Sequence, residues 1–177
     1  FSEGCHIIIN TNPHDIQQSM RETHPTCMSS VPRFWEKVYQ AVLDKIDRSS
    51  VAKQRLFRHA LEVGRRYNID CKSRCKRPSP LLAMEYKLFD KMILRLVRKQ
   101  IGLENAHLFP TAGATVSPAV ERFVHSVGIN MIVGYGLTES LATVSCDRED
   151  MPVNTGAEGR PINGLQVQIG DDDEVGH

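Results

Sequence analysis

The sequence predicts an α/β fold, a three-layer, mostly parallel sheet flanked by helices, with a long helical excursion over residues 32–101. Three observations predict it. Short apolar runs alternate with segments of helical spacing, glycine-rich loops directly follow two of those runs, and the excursion carries its apolar side chains at helical spacing. Strand–helix–strand alternation is typical of parallel sheets, which bind ligands at the carboxyl ends of their strands.

Residues 1–31 predict a strand, a helix and a second strand. The first strand candidate is the apolar run Cys5–Ile9, and a helix opens at Pro13-His14-Asp15 and runs to about Arg21. The second strand is Thr26–Val31, which ends because the proline that follows cannot donate a backbone hydrogen bond.

The excursion predicts helices joined by polar loops. The first helix has its apolar positions at Phe34, Val38, Val42 and Ile46, and the second begins with a cap at Ser49 or Ser50 and runs to about Tyr67. The basic segment Lys72–Pro80 predicts a loop, and the long helix after it carries a stripe of Leu82, Tyr86, Phe89, Ile93 and Leu96.

After Gly102 the predicted elements become shorter. The strand candidates are Asn105–Thr111, Ile129–Val133, Leu141–Cys146 and Leu165–Ile169. Between the first two lies a helix that begins at Ser117, with a capping side chain followed by proline at the first helical position.

The composition is that of a soluble globular domain. The 177 residues include 22 Lys and Arg against 21 Asp and Glu, and 41% are hydrophobic. A chain of this length can bury roughly 70% of the surface that it exposes when unfolded. The longest aliphatic run, Ile7–Ile9, is far shorter than the ~20 residues of a membrane span, and no signal-peptide pattern occurs near residue 1. We therefore expect neither a transmembrane protein nor a secreted precursor.

The cysteines and histidines do not indicate a disulfide scaffold or a metal site. The five cysteines, at positions 5, 27, 71, 75 and 146, are odd in number and scattered, whereas small disulfide-stabilised domains are shorter and denser in cysteine. Cys71 and Cys75 form a close pair, but no second pair or His-x₃₋₅-His lies near them to complete a zinc site. We expect reduced thiols in a cytoplasmic protein.

The near-neutral total charge hides a strong asymmetry. Residues 33–99 hold 18 Lys and Arg against 7 Asp and Glu, whereas residues 146–177 hold 2 basic and 8 acidic side chains. A basic stretch can bind nucleic acid, an anionic membrane or a phosphorylated ligand, or can simply be a solvated helix face. Phe57 and Phe89 lie on apolar stripes rather than among the charges, which argues against stacking on bases. One alternative stays open, a non-catalytic module that binds nucleic acid or an anionic membrane through the 33–99 helices.

Two loops lie where such a sheet would bind a ligand. Thr111–Thr115 follows one strand and Gly134–Ser140 follows the next. The glycines of the second loop would let a planar ring approach closely, and Tyr135 offers an aromatic face. Thr138 is a candidate helix cap that could hold a phosphate oxygen, and Glu139 could reach a Mg²⁺ that bridges phosphates. Together the two loops favour a nucleotide site.

Several runs resemble the adenylate-forming (AMP-binding) superfamily of acyl-CoA synthetases, luciferases and peptide-synthetase adenylation domains. Gly134–Glu139 resembles its signature, and Gly156–Pro161 its Gly-Ser-Val-Gly-Arg-Pro turn. Thr111–Pro118 resembles its Ser-Gly-Gly-Ala-Pro-Leu-Ser-Pro loop, with Ala and Thr in place of the second residue and the first proline. Pro25-Thr26 and Val31–Lys37 are similar to the Pro-Thr…Val-Pro-Arg-x-x-Glu-Lys run of long-chain fatty acyl-CoA synthetases.

The resemblance implies an enzyme that activates a carboxylic acid, here a long-chain fatty acid, with ATP and Mg²⁺ to an acyl-adenylate and transfers the acyl group to coenzyme A. By position, Tyr135 would stack on adenine, Thr138 would bind the α-phosphate and Glu139 would hold Mg²⁺. The nucleotide and acyl pocket would be lined by Gly113, Ala114, Gly134 and Gly136. Nucleic acid is not an implied partner, and the basic helices could assist at a peripheral membrane surface, where long-chain acids partition.

Some motifs of that superfamily do not occur in the sequence. These are the Ser/Thr/Gly-rich phosphate loop ending in Pro-Lys-Gly, the downstream Asp that holds the ribose, the hinge and the C-terminal-domain Lys. We therefore expect residues 1–177 to form a central piece of the large N-terminal domain that is inactive alone. Its expected parts are 1–31 (strand–helix–strand), 32–101 (helical excursion) and 102–177 (nucleotide-site strands and loops).

Overall fold

The computed structural model describes residues 4, 6–10, 12, 15–105, 107–140, 142–148 and 152–168. Its helices are α1 (Ile16–Thr23), α2 (Pro32–Asp47), α3 (Val51–Arg65), α4 (Pro80–Phe89), α5 (Arg95–Ile101) and α6 (Pro118–Ser126). A π-helical segment, Arg66–Lys72, continues α3, and a second, Asp90–Leu94, joins α4 to α5. The strands are β1 (Phe109–Thr111), β2 (Met131–Leu137), β3 (Ala142–Cys146) and β4 (Arg160–Pro161).

The four strands form one mixed sheet in the order β1-β2-β3-β4. Helix α6 crosses from β1 to β2, and these two strands are parallel, with Phe109 opposite Met131 and Thr111 opposite Val133. The pairs β2–β3 and β3–β4 are antiparallel. The prediction of a mostly parallel sheet is therefore wrong for the described strands. Four residues separate β2 from β3, and so short a connection cannot make the crossover that parallel pairing needs.

The expected strands near the ends of the chain are reduced or missing. The described part of the first candidate, residues 6–9, forms no strand, and Cys5 lies outside the described residues. The Thr26–Val31 run lies alongside β1 but forms only two isolated parallel bridges, from Cys27 to Leu108 and from Ser30 to Thr111. Leu165–Gln168 is also irregular, and Ile169 lies outside the described residues.

The predicted helices form, with changes at their ends. Pro32 and Pro118 occupy the first turns of α2 and α6, where a missing amide hydrogen costs no hydrogen bond. The expected start of α1 at Pro13 and His14 lies outside the described residues. Ser50 and Ser117 stand at cap positions without making a side-chain cap bond. Within the described residues, no helix combines the length and the apolar character that crossing a bilayer requires.

The core lies where α2 and α6 cover the sheet. Trp35 and Phe109 are fully buried, with ring centroids 5.7 Å apart in an edge-to-face arrangement. Val124 and Met131 are 0% and 1% exposed and complete the contact between α6 and β2. Trp35 is thus a packing anchor between α2 and β1.

The helical excursion packs onto α6 through α3. The two backbones approach so closely that a Cβ on Gly64 would overlap the carbonyl oxygen of Ser126. The α4–α5 run lies against α3, and the Tyr67 and Tyr86 rings stack with centroids 4.0 Å apart. Leu96, expected on the inward stripe, is 53% exposed. The π-helical segment before it adds a residue to the turn, which rotates the following residues relative to an ideal α-helix.

Candidate functional site

The parallel pairing of β1 and β2 brings the two predicted loops to one edge of the sheet. Thr111 lies opposite Val133, so the chain leaves β1 into Ala112 at the level where the parallel pairing of β2 ends and β2 continues into Gly134. The first loop therefore begins at the carboxyl end of β1, as predicted. The residues expected to form the second loop start inside β2, where that strand continues in antiparallel pairing with β3.

The first loop is fixed at its ends and open in the middle. Thr111 is 1% exposed, and its hydroxyl lies 2.8 Å from that of Ser30. The indole Nε1 of Trp35 donates to both hydroxyl oxygens, at 2.8 Å to Ser30 and 2.9 Å to Thr111. Residues 112–115 are exposed, whereas Val116 is buried. This cluster of three polar groups holds the start of the loop and was not found from the sequence, because the three residues lie far apart along the chain.

Gly113 of the first loop has a backbone conformation that favours glycine, whereas Gly134 and Gly136, where such a conformation was expected, have no positive φ. The φ of Gly113 is +99°, in a region that residues with side chains rarely adopt. A Cβ at this position would have no neighbouring atom within 4 Å. Ala114 beside it is exposed. The loop thus presents backbone rather than bulky side chains to the space above the sheet edge.

The second loop is a β-hairpin rather than a strand-to-helix junction. Gly134, Tyr135 and Gly136 lie inside β2, and β3 begins at Ala142. The expectation that Thr138 caps a helix is therefore wrong, since the chain turns back into an antiparallel strand. The hydroxyl of Ser140 organises this turn, accepting from the Leu137 amide at 3.0 Å and lying 2.9 Å from the Leu137 carbonyl oxygen.

The two glycines of the hairpin differ in what they require. A Cβ on Gly136 would overlap the backbone of Ala142, where the β2–β3 register shifts. A Cβ on Gly134 would meet the Ser145 carbonyl oxygen at 3.5 Å, which is an ordinary contact. Close strand approach, rather than approach of a ligand ring, is thus what requires glycine at position 136.

Three chemically distinct side chains stand exposed along this hairpin. Tyr135 is 41% exposed, and Thr138 and Glu139 are exposed in the turn. Among the described residues, neither the Thr138 hydroxyl nor the Glu139 carboxylate has a hydrogen-bonding or ionic partner. An aromatic face, a hydroxyl and a free carboxylate therefore follow one another along the hairpin that extends from the strand paired with β1.

A buried carboxylate on α6 binds the turn at Gly156, in the segment that follows β3. Glu121 on α6 is 1% exposed and accepts a 2.8 Å hydrogen bond from the Gly156 amide through Oε2, while Oε1 is buried without a partner. Burial raises the pKa of Glu121 to about 7, against the lowering effect of the Gly156 bond. Sequence analysis missed this residue, since a glutamate in the first turn of a helix is usually solvated and favoured by the helix dipole.

The segment after β3 is fastened to the sheet by further polar contacts. Ser145 donates to the Glu158 carbonyl oxygen at 2.6 Å, and Asp147 accepts from the Val133 amide at 3.3 Å. Burial also raises the pKa of the Asp147 carboxyl. The Gly156–Pro161 run, selected by resemblance, is thereby joined through β3 to the strand that carries the hairpin.

A cavity of about 190 Å³ lies beside the amino end of β2, away from the two loops. It is lined by Asn68, Lys72, Ser73, His125, Gly128, Ile129, Asn130, Met131, Ile132, Asp147, Arg148, Pro152 and Val153. His125 is 5% exposed, and burial lowers its pKa to about 4, so its imidazole is neutral at pH 7.

The described residues offer no ready-made metal centre. No three His, Cys, Asp or Glu side chains converge in that part of the chain. Glu139 nevertheless fits a nucleotide-bound Mg²⁺, because that ion needs only one or two carboxylates when phosphate and water oxygens supply the rest. The described cysteines, 27, 71, 75 and 146, form no disulfide.

The chain is similar to one protein family and to several individual proteins. The family model described as "AMP-binding enzyme" matches residues 1–176. The long-chain-fatty-acid–CoA ligase FadD15 of Mycobacterium tuberculosis is 29% identical over 154 residues, which cover 85% of this chain and 24% of that protein. The long-chain-fatty-acid–CoA ligase ACSBG2 of Rattus norvegicus is 32% identical over 130 residues, 72% of this chain and 19% of that protein. The chain thus spans about a quarter or less of the length of these relatives.

A solved structure also aligns with the chain. The crystal structure of the anthranilate CoA ligase AuaEII in complex with anthranoyl-AMP covers 90% of this chain, and the match covers 20% of that protein, with 15% identity and a TM-score of 0.43. A likeness at this level carries no argument about the site.

Proposed function

Because the chain belongs to the AMP-binding enzyme family, we propose that the protein containing it activates a carboxylic acid with ATP and passes the acyl group to coenzyme A. The observation that carries the proposal is the meeting of the Thr111–Thr115 loop and the Gly134–Ser140 hairpin at one sheet edge. The two runs that resemble the family's nucleotide loops start from paired positions of neighbouring parallel strands.

The acid is proposed to be a long-chain fatty acid. The relatives FadD15 and ACSBG2 carry that substrate in their names, at 29% and 32% identity. The Val31–Lys37 run, similar to that of long-chain acyl-CoA synthetases, supports the same branch. Fatty acid, ATP and coenzyme A are therefore the proposed substrates.

Each exposed group of the site has a proposed role. Tyr135 stacks on the adenine ring, while the backbone at Gly113, Ala114, Gly134 and Gly136 lines the nucleotide and acyl pocket. Thr138 donates its hydroxyl hydrogen to an α-phosphate oxygen, and Glu139 holds Mg²⁺. A Mg²⁺ held by the Glu139 carboxylate would supply positive charge that offsets the repulsion between an attacking carboxylate and the α-phosphate.

The proposed organisation follows the sequence. Residues 102–177 supply the strands and loops of an AMP-binding domain. Residues 1–31 supply α1 and a segment that runs beside β1, and residues 32–101 form a helical excursion. These 177 residues do not contain the Pro-Lys-Gly phosphate loop, the ribose-binding Asp or the C-terminal-domain Lys that the resemblance leads one to expect. The chain alone is therefore proposed to be inactive.

Acid-dependent exchange of labelled pyrophosphate into ATP tests the proposal in the complete natural protein that contains these residues. We expect exchange with fatty acids and, after coenzyme A is added, acyl-CoA formation. A series of acids from acetate to long-chain acids identifies the chain length. Absence of exchange with every acid would reject the activity, whereas exchange confined to short or aromatic acids would reject only the fatty acid assignment.

A further inference from the structure

The outer face of the α4–α5 helical run carries a stripe of exposed apolar side chains. They recur at intervals of three or four residues and are 52–70% exposed: Leu81, Met84, Leu88, Met92 and Leu96. Isolated exposed apolar residues are common on soluble proteins, but a continuous stripe indicates a surface that binds something. Over 15 residues of helix it is about 22 Å long.

The π-helical segment keeps this stripe straight. In an α-helix of 3.6 residues per turn, side chains four apart drift around the axis. Asp90–Leu94 is wound with the wider π turn, which reduces that drift. Leu88, Met92 and Leu96 therefore stay on the same exposed face, and Leu96 joins the outer stripe instead of the inner one.

A row of basic side chains runs beside the apolar stripe. Lys87, Lys91, Arg95 and Lys99 follow one another at four-residue spacing, and all four are exposed. None of them has an acidic partner among the described residues. The basic and apolar rows are thus parallel neighbours on one face.

The acidic side chains of the same helical run pair with basic residues on its other side. Glu85 lies 3.0 Å from His59 on α3, and Asp90 accepts from the Arg98 guanidinium at 2.7 Å. Both pairs are on the side that packs against α3 or the core. The outer face is therefore apolar and cationic with no carboxylate to oppose an anionic partner.

We propose that this face, defined by the apolar and basic rows of residues 81–99, lies on the surface of an anionic lipid bilayer. A helix with Leu and Met on one row and Lys and Arg beside it can sink its apolar row to the boundary between headgroups and acyl chains while the cations contact lipid phosphates. The inference goes beyond the proposed ligase activity, which does not require it.

Charge and composition favour a bilayer over other occupants. A second copy of the chain would bring two basic rows together, and like charges at an interface oppose association. Single-stranded nucleic acid would contact the cations but needs aromatic side chains on which to stack bases, whereas the stripe consists of Leu and Met. An anionic bilayer matches both rows at once.

Co-sedimentation of the complete natural protein with vesicles tests this proposal without requiring turnover. We expect binding to vesicles of phosphatidylcholine plus phosphatidylglycerol, much weaker binding to phosphatidylcholine alone, and weakening with salt. Leu88→Ser/Met92→Ser and Lys91→Gln/Arg95→Gln should each lower the partition coefficient by about tenfold. The matched controls, Leu165→Ser/Val167→Ser and Lys37→Gln/Arg48→Gln, change equally exposed residues elsewhere and should leave it near the wild-type value.

A polarity-sensitive fluorophore on Met92→Cys, in a background in which the other accessible cysteines, including Cys27 and Cys75, are replaced by serine, provides a second readout that does not depend on the charge variants. Its emission should shift to the blue on anionic vesicles and not on neutral ones. A fluorophore already buried without vesicles would mean that another segment or a second copy covers the stripe, which overturns the proposal. Equal binding by the stripe variants and the wild type, or binding of single-stranded DNA in place of vesicles, overturns it as well.

Discussion

The exposed edge of the sheet, formed by the β2–β3 hairpin, and the buried layer beneath it use polar residues in opposite ways. At the edge, Tyr135, Thr138 and Glu139 are exposed and leave their polar groups free. In the layer beneath, Thr111 and Glu121 are 1% exposed. Hydrogen bonds of Thr111 hold the start of the first loop, and a hydrogen bond to Glu121 holds the Gly156 turn. Changes at the edge should therefore affect ligand chemistry with little effect on folding, and changes beneath should do the reverse.

The largest expected effect lies in the buried layer. Trp35→Ala removes a fully buried ring and leaves the Ser30 and Thr111 hydroxyls without their donor, so we expect a loss of about 3–5 kcal/mol in the free energy of unfolding. Urea denaturation measures it. Leu137→Ala at the exposed edge is the control and should cost less than about 0.5 kcal/mol. Equal losses would erase the distinction between the two layers.

At the edge, the expected effect is on the reaction. Glu139→Gln in the complete protein should slow acid-dependent pyrophosphate exchange by roughly 10²–10³-fold, because one charged group that stabilises the transition state is lost. Its unfolding midpoint should not move, since the side chain is exposed and unpaired in the described residues. Glu22→Gln, also exposed, is the matched control. Exchange at the wild-type rate would remove Glu139 from the proposed metal site.

The two hairpin glycines sharpen the comparison. Position 136 requires glycine because β3 packs against it, whereas position 134 has room for a Cβ. Gly136→Ala pushes a Cβ into the β3 backbone and should cost about 1–3 kcal/mol of stability, whereas Gly134→Ala makes an ordinary contact and should cost less than about 1 kcal/mol. Thermal unfolding of the two variants compares them directly. A larger loss for Gly134→Ala would contradict the described β2–β3 approach.

The smallest expected effect is a pair of opposed pH dependences within the buried layer. Glu121 holds its proton more tightly when folded, so its contribution is present below pH about 4.5 and is lost as the pH rises to about 7. His125 is buried neutral, so its contribution is present above pH about 6.5 and is lost as the pH falls to about 4. Each contribution is at most about 3 kcal/mol, and because the two run in opposite directions the net change in the wild type is small.

Removing either group should reveal the other in a pH series of urea denaturation curves. Glu121→Gln, which can still accept from the Gly156 amide, should make stability rise between pH 4 and 6.5. His125→Gln should make it fall between pH 4.5 and 7. Identical pH profiles for the two variants would show that these side chains do not titrate as their burial requires.

Local sequence patterns predicted the elements better than their partners. Proline after a capping residue located the start of α6, and glycine after an apolar run located both loops. The β2–β3 hairpin was misassigned because a threonine after Gly-Tyr-Gly-Leu is typical of a helix start, while the antiparallel pairing depends on residues beyond the turn. Leu96 was assigned to the wrong face because ideal α-helical spacing does not include a π-helical segment.

The buried polar residues could not be predicted for a different reason. Ser30, Trp35 and Thr111 meet through long-range packing, and Glu121 is buried because the Gly156 turn covers it. No periodicity in one sequence encodes such contacts. By contrast, the candidate ligand-binding side chains Tyr135, Thr138 and Glu139 occur within one short run. The resemblance of that run to a family signature therefore predicts all three together.

The position of Trp35 has a spectroscopic consequence. It is the single tryptophan of the sequence, and its indole is fully buried at the base of the first loop. Intrinsic emission excited selectively from indole therefore reports on one place, the junction of α2 with β1. A shift of that emission to the red, or its quenching by acrylamide, would register the loosening of this junction before any change in helix content is visible by circular dichroism.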